Sequence, residues 1–303
     1  MKSITLLVVL FILFSSCSKS DDDFVEENEE NEELICQVAP LSFANNVAFP
    51  NPCGISIAGN GTLAITTYNG FDQGYGSMGV TKLWSSYASF AQGANPLFET
   101  NNTAAEAVVF DPDLGHMYIA ETEQVAGIAV YLNVIQGYQY SHTIQGGFVN
   151  PRGLAVDSTG KLYIADDGNG RIMSVAIPSN PSSPILTEYT GLNSVKGIAF
   201  SDSHLYYTNF IENKVGRISL TSGVKESVSV VQPIDIHIDQ EAIYVSSYTT
   251  GKLHVFSTTL FSGECENVYE NLTGSFAMTS IPDIGLLTTN HDKNAITILN
   301  IEN

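Results

Sequence analysis

Basic residues are scarce in this sequence. Lysine and arginine number 12 against 32 aspartates and glutamates, which gives a formal net charge of −20 at pH 7. The first 33 residues hold nine of the acids and two of the bases, so the rest of the chain carries 23 acids and 10 bases. Because phosphate binding needs a concentrated basic surface, this composition argues against a nucleic acid partner.

Common catalytic signatures are also absent. The sequence has no Gly-x-Ser-x-Gly nucleophile elbow, no closely spaced histidine and cysteine ligands, and no glycine-rich phosphate loop. Its six histidines are scattered, and only His237 and His291 occupy positions of interest in the repeat described below. These absences favour a binding protein over an enzyme.

The one long apolar run, residues 6–14, is too short to span a bilayer as a helix. It follows Lys2 and precedes two serines and Cys17, a pattern that predicts a secretion signal over residues 1–16. The small residues before Cys17 resemble the lipobox of bacterial lipoproteins, which implies that this cysteine is lipidated. The alternative is an ordinary cleaved signal that leaves a free cysteine.

Residues 17–33 are predicted to form an acidic, disordered tether, because the run repels itself and offers little apolar surface to bury. Its start, CSKSDDD, resembles the export signal of Bacteroidota-type lipoproteins, although a plain spacer is an alternative reading. The resemblance implies an outer-membrane lipoprotein exposed at the cell surface, in contact with the membrane through its lipid only.

The remainder, residues 34–303, contains six degenerate copies of one pattern, each with three short apolar runs separated by turns. The first runs start at Gly54, Ala107, Gly153, Gly197, Asp235 and Ala277, at intervals of 38 to 53 residues. The runs are rich in Val, Ile, Tyr and Thr and bounded by Gly, Asn and Asp, which predicts strands. A period near 40 residues is typical of propeller blades, so the expected fold is an all-β, six-bladed β-propeller with four-stranded blades.

Residues 151–172 carry the clearest copy, with a Pro-Arg-Gly start, a strand ending in Asp, a second strand and the loop DGNGRI. This copy resembles the NHL repeat family, whose members are propellers. The last copy ends within four residues of the chain terminus and lacks a fourth strand. Residues 37–46 are therefore predicted to supply that strand and close the ring.

Charged residues precede or begin four of the six innermost strands. These residues are Glu106, Arg152, Lys196 and Asp235. In a propeller such positions converge on one mouth of the central channel. They are candidates for orienting a ligand, and a ring of mutually neutralised ion pairs is the alternative.

Aromatic residues follow the second strands at the same mouth. Tyr68, Phe210, Tyr248 and His291 occupy this position, and Phe71 and Tyr75 lie in the long loop 69–79 of the first copy. Aromatic faces stack on sugars or hold apolar groups, so a glycan or a protein is the expected ligand of a monomeric binding module. The alternative is that these rings only cover the tops of the blades.

A second resemblance concerns residues 105–121, which are similar to the glutamate-bearing segment of six-bladed gluconolactonase-type propellers. It implies Glu106 as a ligand of a divalent cation, with Asp235 in the aspartate role, whereas the asparagine position is occupied by Arg152. No cofactor is expected unless Ca²⁺ binds an oxygen set rebuilt from Glu106, Asp235 and Asn209. The corresponding alternative function is a cation-dependent lactonase or esterase.

Three cysteines remain after Cys17. In an exported protein, Cys36 and Cys265 are the favoured disulfide pair, because their predicted positions lie in neighbouring blades. Cys53 would then stay a free thiol close to the axis.

Overall fold

The fold was obtained as a computed structural model, which describes residues 38–68, 78–122, 126–135, 137–239, 242–258, 261 and 267–301. These residues belong to one unit, Leu34–Asn303. Within them no helix is long and apolar enough to cross a membrane. The predicted signal, tether and Cys17 precede the described residues.

The described strands are arranged in six sheets. The described part of the chain starts with β1 (Val38–Pro40) and β2 (Ser42–Ala48). Blade one contains β3 (Pro52–Ile57), β4 (Leu63–Thr67), β5 (Met78–Trp84) and β6 (Phe98–Thr103), with helix α1 (Tyr87–Ala91) between the last two. Blade two contains β7 (Ala105–Phe110), β8 (Met117–Glu121), β9 (Gly127–Val134) and β10 (Gly137–Ile144). Blade three contains β11 (Pro151–Val156), β12 (Leu162–Asp166), β13 (Arg171–Val175) and β14 (Ile185–Thr190), with a 3-10 turn at Asp167–Asn169.

The remaining strands complete the ring. Blade four contains β15 (Val195–Ser201), β16 (His204–Asn209), β17 (Lys214–Ser219) and β18 (Lys225–Ser229). Blade five contains β19 (Pro233–Asp239), β20 (Ala242–Ser247), β21 (Lys252–Ser257) and β22 (Asn267–Glu270). Blade six contains β23 (Ser275–Ile281), β24 (Gly285–Asn290) and β25 (Ala295–Asn300). The strands of each blade pair in antiparallel order, which confirms the predicted six-bladed propeller.

The hydrophobic core lies between the blades. Six clusters of buried side chains correspond to the six interfaces between neighbouring sheets. One of them joins Leu63 and Ile65 of blade one to Leu287 of blade six, and all three are fully buried. Because both faces of every sheet are covered in this way, a single blade could not be stable by itself.

The N-terminal segment closes the ring, as predicted, with different bounds. β2 pairs antiparallel with β25, and Asn46 faces Thr297 in the register, so residues 42–48 are the fourth strand of blade six. The preceding β1 does not join that blade. It adds a fifth strand to blade five by pairing in parallel with β22, with Val38 opposite Val268. The first residues of the described chain therefore bind two neighbouring blades together.

Each innermost strand is interrupted by a register shift at its start, for example between Pro151 and Leu154 in β11. The same irregularity occurs in β3, β7, β15, β19 and β23. A bulge of this kind bends the strand and re-aims the side chains beside it. The four charged residues that the sequence places at the mouth, Glu106, Arg152, Lys196 and Asp235, lie at these bulges.

Neighbouring blades also approach closely at the glycines of the innermost strands. A Cβ on Gly54 would lie 2.9 Å from the Cα of Ala107 in the next blade, and a Cβ on Gly153 would collide with the carbonyl oxygen of Lys196. Beside Gly54, the hydroxyl of Thr66 accepts the Gly54 N–H at 2.8 Å and donates to the carbonyl of Ala105 at 2.9 Å. Backbone contact between blades thus explains the glycine in the Pro-x-Gly pattern.

The interface between blade six and blade one contains a similar hydrogen bond from a threonine hydroxyl. The hydroxyl of Thr289 accepts the N–H of Ala277 at 2.9 Å and donates to the carbonyl of Cys53 at 2.7 Å, which links blade six to blade one. Each such bond contributes about 0.5–1.5 kcal/mol to stability. At the corresponding place in blade five, the hydroxyl of Ser246 is buried and finds no partner within the described residues.

Candidate functional site

The six innermost strands surround a cavity of about 370 Å³ on the propeller axis. Its lining includes Glu106, Arg152, Lys196, Asp235 and Phe276, all of which lie at the end where these strands begin. This end of the channel, together with the side chains around it, is called the mouth. The structure therefore brings the four charged residues singled out in the sequence to one place.

Three of these four residues form a chain of ion pairs. The guanidinium of Arg152 contacts Glu106 at 3.3 Å and Asp167 at 3.2 Å, and the ammonium of Lys196 contacts the same oxygen of Asp167 at 3.3 Å. Asp167 lies on the 3-10 turn after β12. The sequence interpretation missed it, because an acid directly after a strand resembles an ordinary turn residue.

Burial and neighbouring charges alter the ionisation of the residues in this group. Although burial opposes it, the carboxylates of Glu106 and Asp167 raise the pKa of Arg152 above its ordinary value. Burial and the neighbouring Arg152 lower the pKa of Lys196. The buried thiol of Cys53 donates to Glu106 at 3.3 Å, and burial together with that carboxylate raises its pKa, so the thiol stays protonated. Cys53 is a structural group here and a poor nucleophile.

Asp235 differs from the other charged residues of the mouth. None of the ion pairs among the described residues includes it. Its Oδ2 accepts the backbone N–H of Met278 at 2.8 Å. Burial raises the pKa of this carboxyl to about 7, against the opposing effect of the N–H groups of Met278 and Ile236. The group therefore titrates near neutrality.

Aromatic rings gather on the side of the mouth formed by blades five and six. The ring of Phe276 lies 5.4 Å from that of Tyr248 in an edge-to-face arrangement, and 5.4 Å from the ring of His291. Tyr248 is 38% exposed, so one side of this group faces solvent. Phe276 was not among the predicted site residues, since a phenylalanine before a strand resembles a core residue.

The other predicted aromatic residues are placed differently. Phe210 lies on the blade-four side of the mouth, where the ammonium of Lys196 is 4.8 Å from its ring centre. Tyr68 is half-buried after β4. Phe71 and Tyr75 lie outside the described residues, as do Cys36 and Cys265 of the predicted disulfide.

The residues proposed for Ca²⁺ do not fit a hard cation. Glu106 is bound to Arg152, whose positive charge opposes a divalent ion at that point. The amide oxygen of Asn209 accepts the N–H of Glu212 at 3.2 Å, so it caps its own turn. Over the described residues, no three His, Cys, Asp or Glu side chains are grouped to hold a metal. Ca²⁺ prefers six to eight oxygens, and this arrangement offers Asp235 as the one carboxylate without a cationic neighbour.

His237 also lines the cavity, three residues further along β19 than Ile234. Its Nε2 lies 3.0 Å from the hydroxyl of Ser280, and its ring stacks on Tyr244. Burial lowers the pKa of His237 to about 4, although the charge of Asp239 opposes the shift. The imidazole is therefore neutral and hydrogen-bonded, which is typical of a histidine with a structural role.

The loop DGNGRI of blade three, which follows β12, is held by hydrogen bonds to Asp166. The fully buried carboxylate of Asp166 accepts the N–H of Val149, the Nε of Arg171 and the side-chain amide of Asn169, each at 2.8 Å. Gly170 adopts a left-handed conformation with φ of 57°. Residues 148–172 match the NHL repeat. The motif residues Asp, Asn and Arg thus hold the loop together, which is a structural role.

Solved structures share the architecture. The chain is similar to virginiamycin B lyase from Staphylococcus aureus, with 13% identity, a TM-score of 0.59, and coverage of 86% of this chain and 100% of that one. It is also similar to a candidate 6-phosphogluconolactonase from Bacteroides uniformis, with 15% identity, a TM-score of 0.61, and coverage of 84% and 82%.

A third similar structure is the nidogen–laminin complex, with 15% identity, a TM-score of 0.55, and coverage of 72% of this chain and 83% of that one. At these identities the similarity shows the fold alone, and the three proteins differ in what they do. No curated protein matches the chain in sequence.

Proposed function

We propose that this propeller is a binding module that holds a glycan or protein ligand at the channel mouth. The supporting observation is the group of Phe276, Tyr248 and His291, because it offers a partly exposed aromatic surface beside an axial cavity. Aromatic side chains that are solvent-exposed on one side supply large contact area at low entropic cost. The paired charges opposite them orient a polar ligand.

The binding proposal is tested on glycan and peptide arrays with the Tyr248→Ala variant. We expect this change to weaken binding of any hit by about 1–3 kcal/mol, the scale for an aromatic anchor, and to change stability little because the ring is partly exposed. Tyr140→Ala is the matched control, since Tyr140 is an exposed tyrosine on the outer strand β10. Hits that survive Tyr248→Ala unchanged would place the binding surface elsewhere.

The alternative function is a divalent-cation-dependent lactonase or esterase of the gluconolactonase-like class. Its support is the similarity of residues 105–121 to that class, and the pairing of Glu106 with Arg152 argues against it. Thermal melting of the protein with and without calcium separates the two functions. A ligand that binds only the native state raises its melting temperature, so a cation-dependent enzyme would be stabilised by millimolar Ca²⁺.

The module is further proposed to be a lipoprotein of the outer membrane, exposed at the cell surface and tethered by residues 17–33. The support is the apolar run 6–14, the small residues before Cys17 and the acidic segment that follows. A fatty-acid analogue is expected to label the wild type in cells but not the Cys17→Ser variant. Equal labelling of the two proteins would exclude lipidation at this cysteine.

A further inference from the structure

The charges at the mouth fall into two unequal groups. On the side of blades two to four, Glu106 and Asp167 neutralise Arg152 and Lys196 through contacts of 3.2–3.3 Å. On the side of blades five and six, Asp235 adds a third acid, and no ion pair of the described residues includes it. The charged residues that line or pair at the mouth therefore comprise three acids and two bases.

The unmatched carboxyl lies beside the aromatic group. Asp235 accepts a hydrogen bond from Met278 on β23, the strand that also carries Phe276. Phe276 lies two residues before Met278 on that strand, and Asp235 and Phe276 both line the same cavity. Phe276 in turn contacts Tyr248 and His291. A single acid and three rings thus share one side of the mouth.

We propose that this side of the mouth, formed by Asp235, Tyr248, Phe276 and His291, binds an organic cation, namely an ammonium or quaternary ammonium group of the ligand. The inference rests on the proposed function of the mouth as a binding site and names the class of ligand. Aromatic faces attract such cations through their quadrupoles, and a carboxylate supplies the counter-charge. An anionic ligand is disfavoured, because Arg152 and Lys196 already have carboxylate partners.

Choline and 3,3-dimethyl-1-butanol provide the test, because they share shape and hydroxyl group and differ in the charged nitrogen. Binding of each compound to the full chain is measured by titration calorimetry at pH 8 in a non-ionic detergent. We expect choline to bind at least tenfold more tightly than the neutral alcohol. Equal affinities, or no binding of either compound, would overturn the inference.

Variants locate the binding of choline within the mouth. Asp235→Asn is expected to lower choline affinity at least tenfold, and Tyr248→Ala about 3- to 30-fold, the range for loss of a cation–π contact. Tyr248→Phe keeps the ring and should retain affinity. Asp283→Asn, at an exposed position in the β23–β24 turn, should bind choline as the wild type does.

The result also separates this inference from the proposed function. Unchanged choline binding by Asp235→Asn would overturn the cation site, whereas loss of binding in that variant, with normal folding and with wild-type binding by Asp283→Asn, would support it. If array hits depend on Tyr248 but choline and its isostere bind alike, the mouth is still a binding site and the organic-cation class is wrong.

Discussion

A protein that lacks residues 1–48 is expected to lose its cooperative unfolding transition. The deletion removes β2, which pairs along its whole length with β25 and forms the fourth strand of blade six. Blade six would then expose the edge of β25, and the ring would lose the strand that connects its two ends. Thermal melting followed by circular dichroism should show no sharp transition for this protein.

Two shorter deletions are the controls for this result. Removing residues 1–33 leaves both strands in place, so melting should be close to that of the whole chain. Removing residues 1–40 deletes β1, which pairs with the outer strand β22 at the edge of blade five, and should lower the melting temperature without abolishing the transition. Cooperative melting of the 1–48 deletion near the wild-type temperature would show that β2 is not needed for closure.

The Asp235→Asn change is expected to stabilise the protein at pH 8 by about 2–4 kcal/mol and to have little effect at pH 4. Burial raises the pKa of this carboxyl from its usual 3.8 to about 7 in the folded state. Between these values the folded protein binds one proton more than the unfolded chain, so the stability contributed by Asp235 falls as pH rises through about 7. Asparagine resembles the protonated form and removes this loss.

Urea unfolding of both proteins from pH 4 to pH 8 measures the difference. The free energies of unfolding should coincide at low pH and separate as pH rises, at a rate of up to about 1.4 kcal/mol per pH unit. Asp283→Asn, at an exposed site, should show no such separation. A difference in the free energy of unfolding that stays constant from pH 4 to pH 8 would mean that folding does not raise the pKa of the Asp235 carboxyl. A buried carboxylate that lowers the stability of the folded protein is a candidate for a binding role, because functional sites often hold groups with shifted pKa values.

The inner strands could be located from the sequence as apolar runs, whereas the exposed outer strands carry no such run, and only the closing strand was located, by counting the strands of the last copy. The apolar run LYIAD coincides with β12, whose five residues are all buried. Every position of the outer strand β14 is exposed or half-buried, so no apolar run marks it in the sequence. The division of the N-terminal segment into β1 and β2 was also missed, because it depends on where the ring closes.

The candidate site shows the same division. The repeat alone predicted that Glu106, Arg152, Lys196 and Asp235 meet at the mouth, since equivalent positions of a propeller converge. It did not predict that Asp167 bridges the two bases, or that none of the ion pairs among the described residues includes Asp235. Those contacts depend on side-chain positions to within a few ångströms, and a sequence repeat does not specify such positions.

The sequence by itself determined the architecture of this protein, because strand periodicity and blade spacing are local properties repeated six times. Only the tertiary structure decided which charges neutralise each other. The ion pair of Arg152 with Glu106 joins residues 46 positions apart, and the bond from Met278 to Asp235 spans 43 positions. Such contacts form between different blades after the ring has closed, so their partners are set by packing geometry and not by neighbours along the chain.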